Sequence, residues 1–401
     1  MERKTMKSLG MKLAMWCCVA GVATGADWPQ WRGPGRDGVS AETGWFKEGA
    51  SARMVWEGSV GAGYSAVAIR GGKLYTAGNR DNKDVVVCLE ARTGNTIWKF
   101  SYDCPAGDYP GPRSTPATDS SSVYAVSRQG QVFCLDSASG ECRWQRNLKA
   151  DLNVKLPGWG IAGSPVVEGD LLLLNVGARG MALDRKTGAT KWDSGGANTG
   201  YSSPVVAGSG AGRSVIVFAA KQVVASDLAS GRQLWEYPWS TSYDVNAADP
   251  VVVDGNVFIT SGYDRGGALL KMQQGAPVVA WENKSMGSHF GTPVLRKGFA
   301  YGGHGNTGRG SIRCIEVATG SVKWEHAGMS YGSLLLAGDK LLIQGEKGVL
   351  AVTEATPEQY RELWQGKVLD GICWTMPTLS DGLVYCRNDK GRLVCLDLKG
   401  P

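Results

Sequence analysis

Histidine is scarce in this 401-residue chain, which has only His289, His304 and His326. His289 and His304 fall in the same repeat unit, but no third ligand accompanies them, so no metal centre is expected. There is no Cys-x-x-Cys-His, the motif that attaches a c-type haem. No serine lies in the strand-to-helix setting of a nucleophile elbow, and no histidine–carboxylate pair stands beside one. Gly303-His304-Gly305-Asn306-Thr307-Gly308 spells G-x-G-x-x-G but opens no helix, so it lacks the helix N-terminus that holds a pyrophosphate. Long amphipathic helices are missing too; only Pro357–Leu363 suggests a helical turn. The longest leader-like apolar stretch, Leu13 to Ala23, is too short to span a bilayer comfortably. Charge of one sign is also weak. The net charge is +6, and removing a leader with four basic residues and one acidic leaves about +3, too little to argue for nucleic acid or a membrane surface.

Tryptophan, by contrast, is both abundant and periodic. Trp56, Trp98, Trp144, Trp192, Trp235, Trp281, Trp324 and Trp364 follow one another at intervals of 40 to 48 residues. One aromatic per 40–50 residues is the period of a β-propeller. In five units an acidic residue stands eight positions ahead of the tryptophan: Glu90, Asp136, Asp184, Asp227 and Glu316. Between them lies a turn of the type Thr187-Gly188 or Ser230-Gly231, where the carboxylate serves backbone N–H groups and glycine takes a positive φ. Short apolar runs such as Leu171-Leu172-Leu173-Leu174, bounded by Gly, Asp and Asn, make four strands per unit. Many first strands open on proline, as at Pro165, Pro204, Pro250 and Pro293, where a missing donor costs no ladder bond. The last unit, from Cys373, holds only three strands, and Arg53-Met54-Val55-Trp56-Glu57 supplies the fourth. The expected fold is therefore all-β: an eight-bladed propeller of four-stranded antiparallel blades, closed by the N-terminal strand around Trp56. The eight tryptophans are expected to pack blade against blade.

Residues 1–26 read as a secretory signal, with Arg3, Lys4, Lys7 and Lys12 ahead of the apolar stretch and small residues before Ala26. Residues 27–52 form an N-terminal extension and 53–401 the propeller. Trp16 precedes Cys17-Cys18, so no lipobox is read and a periplasmic or secreted chain is expected. Cys88, Cys134, Cys314 and Cys395 share one repeated apolar slot and read as small core residues. Cys104 and Cys373 sit in loops of one face, and their pairing is open.

Two regularities mark a candidate binding face. Three residues ahead of each inner-strand proline, or its equivalent, stand Tyr64, Arg113, Tyr201, Phe290, Tyr331 and Trp374, with Trp159 near the Ala162 slot and His289 beside Phe290. Such a ring would stack a flat ligand or grip peptide side chains. The middle turns each carry a basic residue, among them Arg128, Arg179, Arg265 and Arg309, which would favour an anionic partner.

The pattern Ala182-Leu183-Asp184-Arg185-Lys186-Thr187-Gly188-Ala189-Thr190-Lys191-Trp192 resembles the pyrroloquinoline quinone (PQQ)-type propeller repeat, over essentially the whole chain after the leader. Within it, compact chains of this length resemble BamB-type periplasmic scaffolds of outer-membrane protein assembly. The stretch Asp27-Trp28-Pro29-Gln30-Trp31-Arg32-Gly33-Pro34-Gly35-Arg36-Asp37-Gly38 is similar to the start of many secreted PQQ-like proteins and echoes quinoprotein alcohol dehydrogenases. Resemblance to those enzymes implies PQQ with calcium, a vicinal cysteine pair and a Glu/Asn/Asp ligand set. Here the only Cys-Cys is Cys17-Cys18, and the only comparable loop holds Asp244, Asn246 and Asp249. The reading is a non-catalytic, monomeric propeller with no bound cofactor that binds an envelope or secreted protein, or an anionic polymer. The alternatives are a PQQ-dependent alcohol or polyvinyl-alcohol dehydrogenase and a polysaccharide sensor.

Overall fold

Alternating apolar and polar residues with a turn every six to ten positions leave the chain no choice but short hairpins. A computed structural model describes residues 26–400. The expected leader, with Cys17-Cys18, lies outside the described residues apart from Ala26. The described residues form eight antiparallel sheets of four blade strands each, arranged as the blades of a ring. In blade 1 the strands are Ala68–Arg70, Lys73–Arg80, Lys83–Glu90 and Thr96–Asp103. Blade 8 takes Thr378–Ser380, Leu383–Arg387 and Arg392–Asp397 from the end of the chain and Arg53–Ser59 from its start. Arg53 opposes Asp397 and Ser59 opposes Arg392, so the ring closes as the strand count requires.

The repeat motif is explained at each blade junction. The indole N–H of Trp56, Trp98, Trp144, Trp192, Trp281 and Trp324 donates to a backbone carbonyl of the next blade, at 2.8 to 3.2 Å. The same indole lies flat on the turn glycine of that blade. A Cβ on Gly94, Gly140, Gly188, Gly231 or Gly320 would come within 2.5 to 2.7 Å of the ring, and each of these glycines has φ near +70°. The turn glycine thus answers two demands at once, a left-handed backbone and a flat seat for the neighbour's tryptophan. The turn carboxylates do what their spacing implies: Asp184 accepts from the N–H groups of Lys186 and Thr187 at 3.0 Å. All eight outer hairpins carry a β-bulge just before the tryptophan, which leaves the preceding residue unpaired and turns the indole inward.

Cys88, Cys134, Cys314 and Cys395 are buried and free, each directly opposite its own blade's tryptophan on the adjacent strand. Cys104 and Cys373 are also buried and free. The core sits between blades. One cluster joins Leu173, Ala182 and Trp192 of blade 3 to Val215, Val217 and Val224 of blade 4. Helix is limited to one turn, Leu148–Asp151, and two 3-10 turns, Gly210–Gly212 and Ser242–Asp244, among the described residues. The helical turn expected at Pro357–Leu363 does not form. The N–H of Glu354 reaches the carbonyl of Arg361 at 3.0 Å, and Tyr360 packs edge-on against Trp324, which holds the loop open. No helix of the described residues is long and apolar enough to cross a membrane.

Truncating Trp192 to alanine is expected to cost about 3–5 kcal/mol, as for other buried large-to-small changes. Gly231→Ala, on the other side of the same contact, should cost at least about 1–2 kcal/mol for its left-handed backbone alone. Guanidinium unfolding midpoints check both; an unchanged midpoint for Gly231→Ala would refute the seat-and-indole account.

Candidate functional site

The N-terminal segment does not lie beside the propeller. It runs across one end of the axis and is held there by seven of the eight blades. Trp28 forms a bridge with Ile69 of blade 1, and the Pro29 carbonyl accepts from Thr118 of blade 2. Arg36 pairs with Glu168 of blade 3 at 2.7 Å. Trp31 and Arg32 reach blades 5 and 6. Val39–Ser40 adds a parallel strand to Gly332–Ala337, the first strand of blade 7. Glu42 accepts from the N–H groups of Asp381 and Gly382 in blade 8. The segment closes this end of the channel, and the indole of Trp31 becomes the floor of a cavity open at the other end.

That cavity, of about 270 Å³, is the axial funnel of the propeller. Its lower wall is a belt of side chains that sit immediately before the first strands. The first strands diverge from the axis and cannot form a ladder with one another, so side-chain oxygens bridge them. The backbone N–H of Ala66 donates to Thr115 Oγ1, that of Thr115 to Ser164 Oγ, and that of Ser164 to Ser203 Oγ, at 2.9 to 3.0 Å. Ser203 donates to Asp249 Oδ1 at 2.6 Å, and Asp249 to Thr292 Oγ1 at 2.8 Å. Sequence reasoning missed this belt, although Thr-Pro, Ser-Pro and Asp-Pro recur at positions 115, 164, 203, 249 and 292.

Asp249 is the only carboxylate in the belt and is 4 % exposed. Its Oδ2 accepts from Trp31 Nε1 at 2.7 Å. Burial pushes its acidity constant up, and the charge of Arg32 pulls it back. Arg32 is itself buried, with its guanidinium spent on the carbonyls of Arg36, Asp37, Thr292 and Pro293 at 2.7 to 3.2 Å. It therefore balances Asp249 from beneath without covering it.

Above the belt the cavity is walled by aromatic rings in near-continuous contact. Trp374 stacks on Tyr64 at 5.4 Å and touches Tyr109 at 5.9 Å and Phe290 at 5.4 Å. Phe290 leads to His289, then to Tyr263, Tyr243, Trp159 and Tyr201, with centroid separations of 4.9 to 6.3 Å. Arg113 lies over Tyr64 at 5.6 Å and donates to the carbonyls of Tyr109 and Gly111. The sequence-based ring residues Tyr64, Arg113, Trp159, Tyr201, His289, Phe290 and Trp374 all line this space. Tyr331 does not. It is 1 % exposed, and its hydroxyl accepts from the N–H groups of Phe290 and Gly291, so it props the collar from behind. Tyr109, Tyr243 and Tyr263 join the collar although no repeat slot announces them. Among the described residues they are the only aromatic ones with positive φ, at 51°, 65° and 54°. A bulky side chain in the left-handed region is uncommon and is retained where surroundings or function demand it.

The basic turns do not converge on the cavity. Arg128 is buried, and Arg265 stacks on Trp239 at 3.4 Å while pairing with Glu282 at 2.7 Å. Arg179 is half-buried and Arg309 exposed, and neither lines the cavity. Part of the charge of the middle turns is thus consumed internally, and none of these four arginines lines the cavity.

His289 is held neutral, its constant pushed down to about 4 by burial. His304 is pushed down to about 4 by burial and by the charge of Arg313, and its Nδ1 accepts from Gly287. An unfolded histidine titrates near 6.5, so the unfolded chain binds protons that these two residues refuse in the fold. Their contribution to stability is therefore intact above about 6.5 and is lost as pH falls toward about 4. In an NMR titration, two of the three imidazoles should stay neutral at pH 5.5; normal titration of both would overturn the packing described around them.

The Asp244–Asp249 loop does not assemble a ligand set. Asn246 donates to the carbonyls of Ala219, Ala220 and Trp239 and accepts from Ser261, Asp249 turns to Trp31 and Ser203, and Asp244 sits on a surface 3-10 turn. Among the described residues no group of three His, Cys, Asp or Glu side chains is placed to hold a metal ion. The cavity also offers Arg113 as its only cation and Asp249 as its only carboxylate, which does not suit a quinone bearing several carboxylates. The residues present thus do not fit the calcium–PQQ pair that the enzymes' resemblance implies.

Comparison with known proteins agrees with the architecture. A family model described as outer membrane protein assembly factor BamB matches residues 82–326. The outer membrane protein assembly factor BamB of Burkholderia pseudomallei is 27 % identical, over 55 % of this chain and 68 % of its own length. The crystal structure of BamB from Moraxella catarrhalis superposes with a TM-score of 0.63 at 17 % identity, covering 87 % of this chain and 98 % of that one. Quinohemoprotein alcohol dehydrogenase from Comamonas testosteroni gives 0.71 at 15 % identity, covering 94 % and 81 %; at these identities both structures speak for the fold alone. With its repeat motif, closed eight-bladed ring and matching family model, the chain belongs to the BamB family of PQQ-like β-propellers.

Proposed function

We propose that this protein is a non-catalytic scaffold of the cell envelope that binds a partner protein through the aromatic collar at the open end of its axis. One observation carries the reading: side chains from several blades meet in a near-continuous aromatic wall around a funnel that is closed below and open above. Interfaces draw their energy from a few aromatic and arginine anchors seated in pockets, and the collar presents such residues outward, with Tyr243 74 % and Tyr109 49 % exposed. Family membership supports a scaffolding role, since the curated relative is named for outer-membrane protein assembly. On this reading residues 1–26 are removed on export to the periplasm or exterior, residues 27–52 cap the channel, and residues 53–401 form the propeller ring.

A photo-crosslinking residue at position 243, introduced in the native host, tests the proposal. An envelope protein should be trapped, and Trp374→Ala should reduce its capture at least tenfold. Tyr109→Ala should also weaken capture while changing stability by no more than about 0.5 kcal/mol, as for other surface substitutions, since Tyr109 is the other exposed ring of the collar. Trapping a glycan would favour the polysaccharide-sensor reading instead, and undiminished capture by both variants would refute the collar as the binding face.

A further inference from the structure

The collar encloses a specific chemical environment at its base, and that environment selects among partner side chains. The walls are aromatic rings: Trp31 below, with Trp159, Tyr201, Tyr263, Phe290 and Trp374 around. At the bottom lies the carboxylate of Asp249. An ionised carboxylate has room for about four hydrogen bonds, and Asp249 has three partners, Trp31, Ser203 and the Thr292 hydroxyl. These partners hold its plane fixed while an acceptor position remains. His289, the one imidazole in the wall, is neutral and adds no opposing charge. Arg113 is three blades away around the ring from Asp249, with its guanidinium engaged by two carbonyls and Tyr64. Aromatic faces attract a cation through their quadrupoles, most strongly where water is excluded. A charge-assisted hydrogen bond to a preorganised carboxylate adds to that attraction.

We propose that the axial cavity is a receptor for a cationic side chain, an arginine or lysine projected by the partner, with the aromatic walls taking its stem and Asp249 its charged end. This rests on the collar being the partner-binding face and names the chemistry that the face reads. It also reverses the charge class suggested by the basic turns, because those turns do not reach the cavity whereas Asp249 does. A single arginine side chain is small enough for a space of about 270 Å³.

The test uses the whole mature protein and three small probes: Nα-acetyl-arginine amide, Nα-acetyl-lysine amide and the uncharged isostere Nα-acetyl-citrulline amide. Binding is read by intrinsic tryptophan fluorescence and by calorimetry. The arginine amide should bind at least tenfold more tightly than the citrulline amide, and Asp249→Asn should erase that preference. Because Asp249 also anchors Ser203, the variant's circular dichroism and unfolding midpoint are measured alongside. The comparison of arginine with citrulline on the unaltered protein needs no variant and decides the matter if Asp249→Asn fails to fold. Equal binding of the two, no binding of either, or a preference that survives in folded Asp249→Asn would overturn the proposal. Partner capture at position 243 without any charge preference would leave the scaffold reading standing and this one refuted. Charge-selective probe binding with no partner captured would do the reverse.

Discussion

Replacing Arg387 by methionine should cost roughly 4 kcal/mol and open the ring at the junction of its last and first blades, since hydrogen bonds from charged donors contribute about 1.5–3 kcal/mol each and do not add fully. Arg387 belongs to the second strand of blade 8 and is 1 % exposed. Its guanidinium donates to the carbonyls of Gly61, Ser65 and Ala77 and to Thr76 Oγ1, at 2.8 to 3.2 Å, all in blade 1 or the connection leading into it. Burial pushes the guanidinium down to about 10, yet it remains charged at neutral pH. Methionine fills a similar volume but supplies no donor, so several buried carbonyls lose their partner together. A guanidinium unfolding curve gives the loss, and limited proteolysis should show first cleavage between Ser59 and Tyr64. A midpoint within error of the parent would mean that the seam is held by Arg53–Ser59 pairing alone.

Arg32→Met should rank second, at about 3–5 kcal/mol, and its loss should depend on pH. Four carbonyls lose their donor, and Asp249 loses the positive charge that most opposes its desolvation. Breaking one side of a buried charge pairing typically costs about 3–5 kcal/mol because the other charge is left uncompensated. The sign follows from the direction of the shift. The folded constant of Asp249 is already raised above its unfolded value of 3.8, so burying the ionised form costs stability at neutral pH, and that cost shrinks as pH falls through the folded value and is gone below the unfolded one. Removing Arg32 raises the folded value further. The gap between parent and variant should therefore be widest above both folded values and narrow as pH falls through them toward 3.8, measured as the difference in urea midpoints. A gap independent of pH would show that Arg32 acts only as a donor to carbonyls. The same variant should bind the arginine probe more weakly, since losing the charge of Arg32 makes the Asp249 carboxylate harder to ionise.

How much of this was readable from residues alone follows from what repeats. Tryptophan, the acidic turn residue and its glycine occur in unit after unit because each blade junction poses the same steric problem, as Trp192 against Gly231 shows. The ring closure followed from a strand missing near Cys373 and a spare one at Arg53. The collar was partly legible for the same reason: Tyr64, Tyr201, Phe290 and Trp374 share a slot ahead of the first strand. Within that slot, sequence could not tell a ring that faces the cavity from one that turns back, and Tyr331 turned back because two N–H groups were waiting for its hydroxyl. Tyr109, Tyr243 and Tyr263 stand in loops at no repeated position, and their backbone conformations are not written in any local pattern. Trp31 was beyond reach altogether, because its place in the cavity depends on the path of a segment whose partners lie up to hundreds of residues away, Asp249 being 218 positions on. The arginines of the middle turns are a different case. Sequence counts charges, and only packing shows which are already engaged, as Arg265 is by Trp239 and Glu282.

The way residues 26–50 are held across seven blades sets a timetable for the newborn polypeptide. Synthesis delivers this stretch ahead of the blades that hold it, but its docking sites arrive one blade at a time, and the strand beginning at Arg53 must wait for Asp397, 344 positions later. Neither can settle until nearly the whole molecule has been made. Such delayed, long-range pairing slows folding and leaves sticky strand edges uncovered meanwhile. A nascent molecule of this kind needs shelter until its last blade appears, and its maturation rate should respond to holding chaperones more than to any local substitution within a blade.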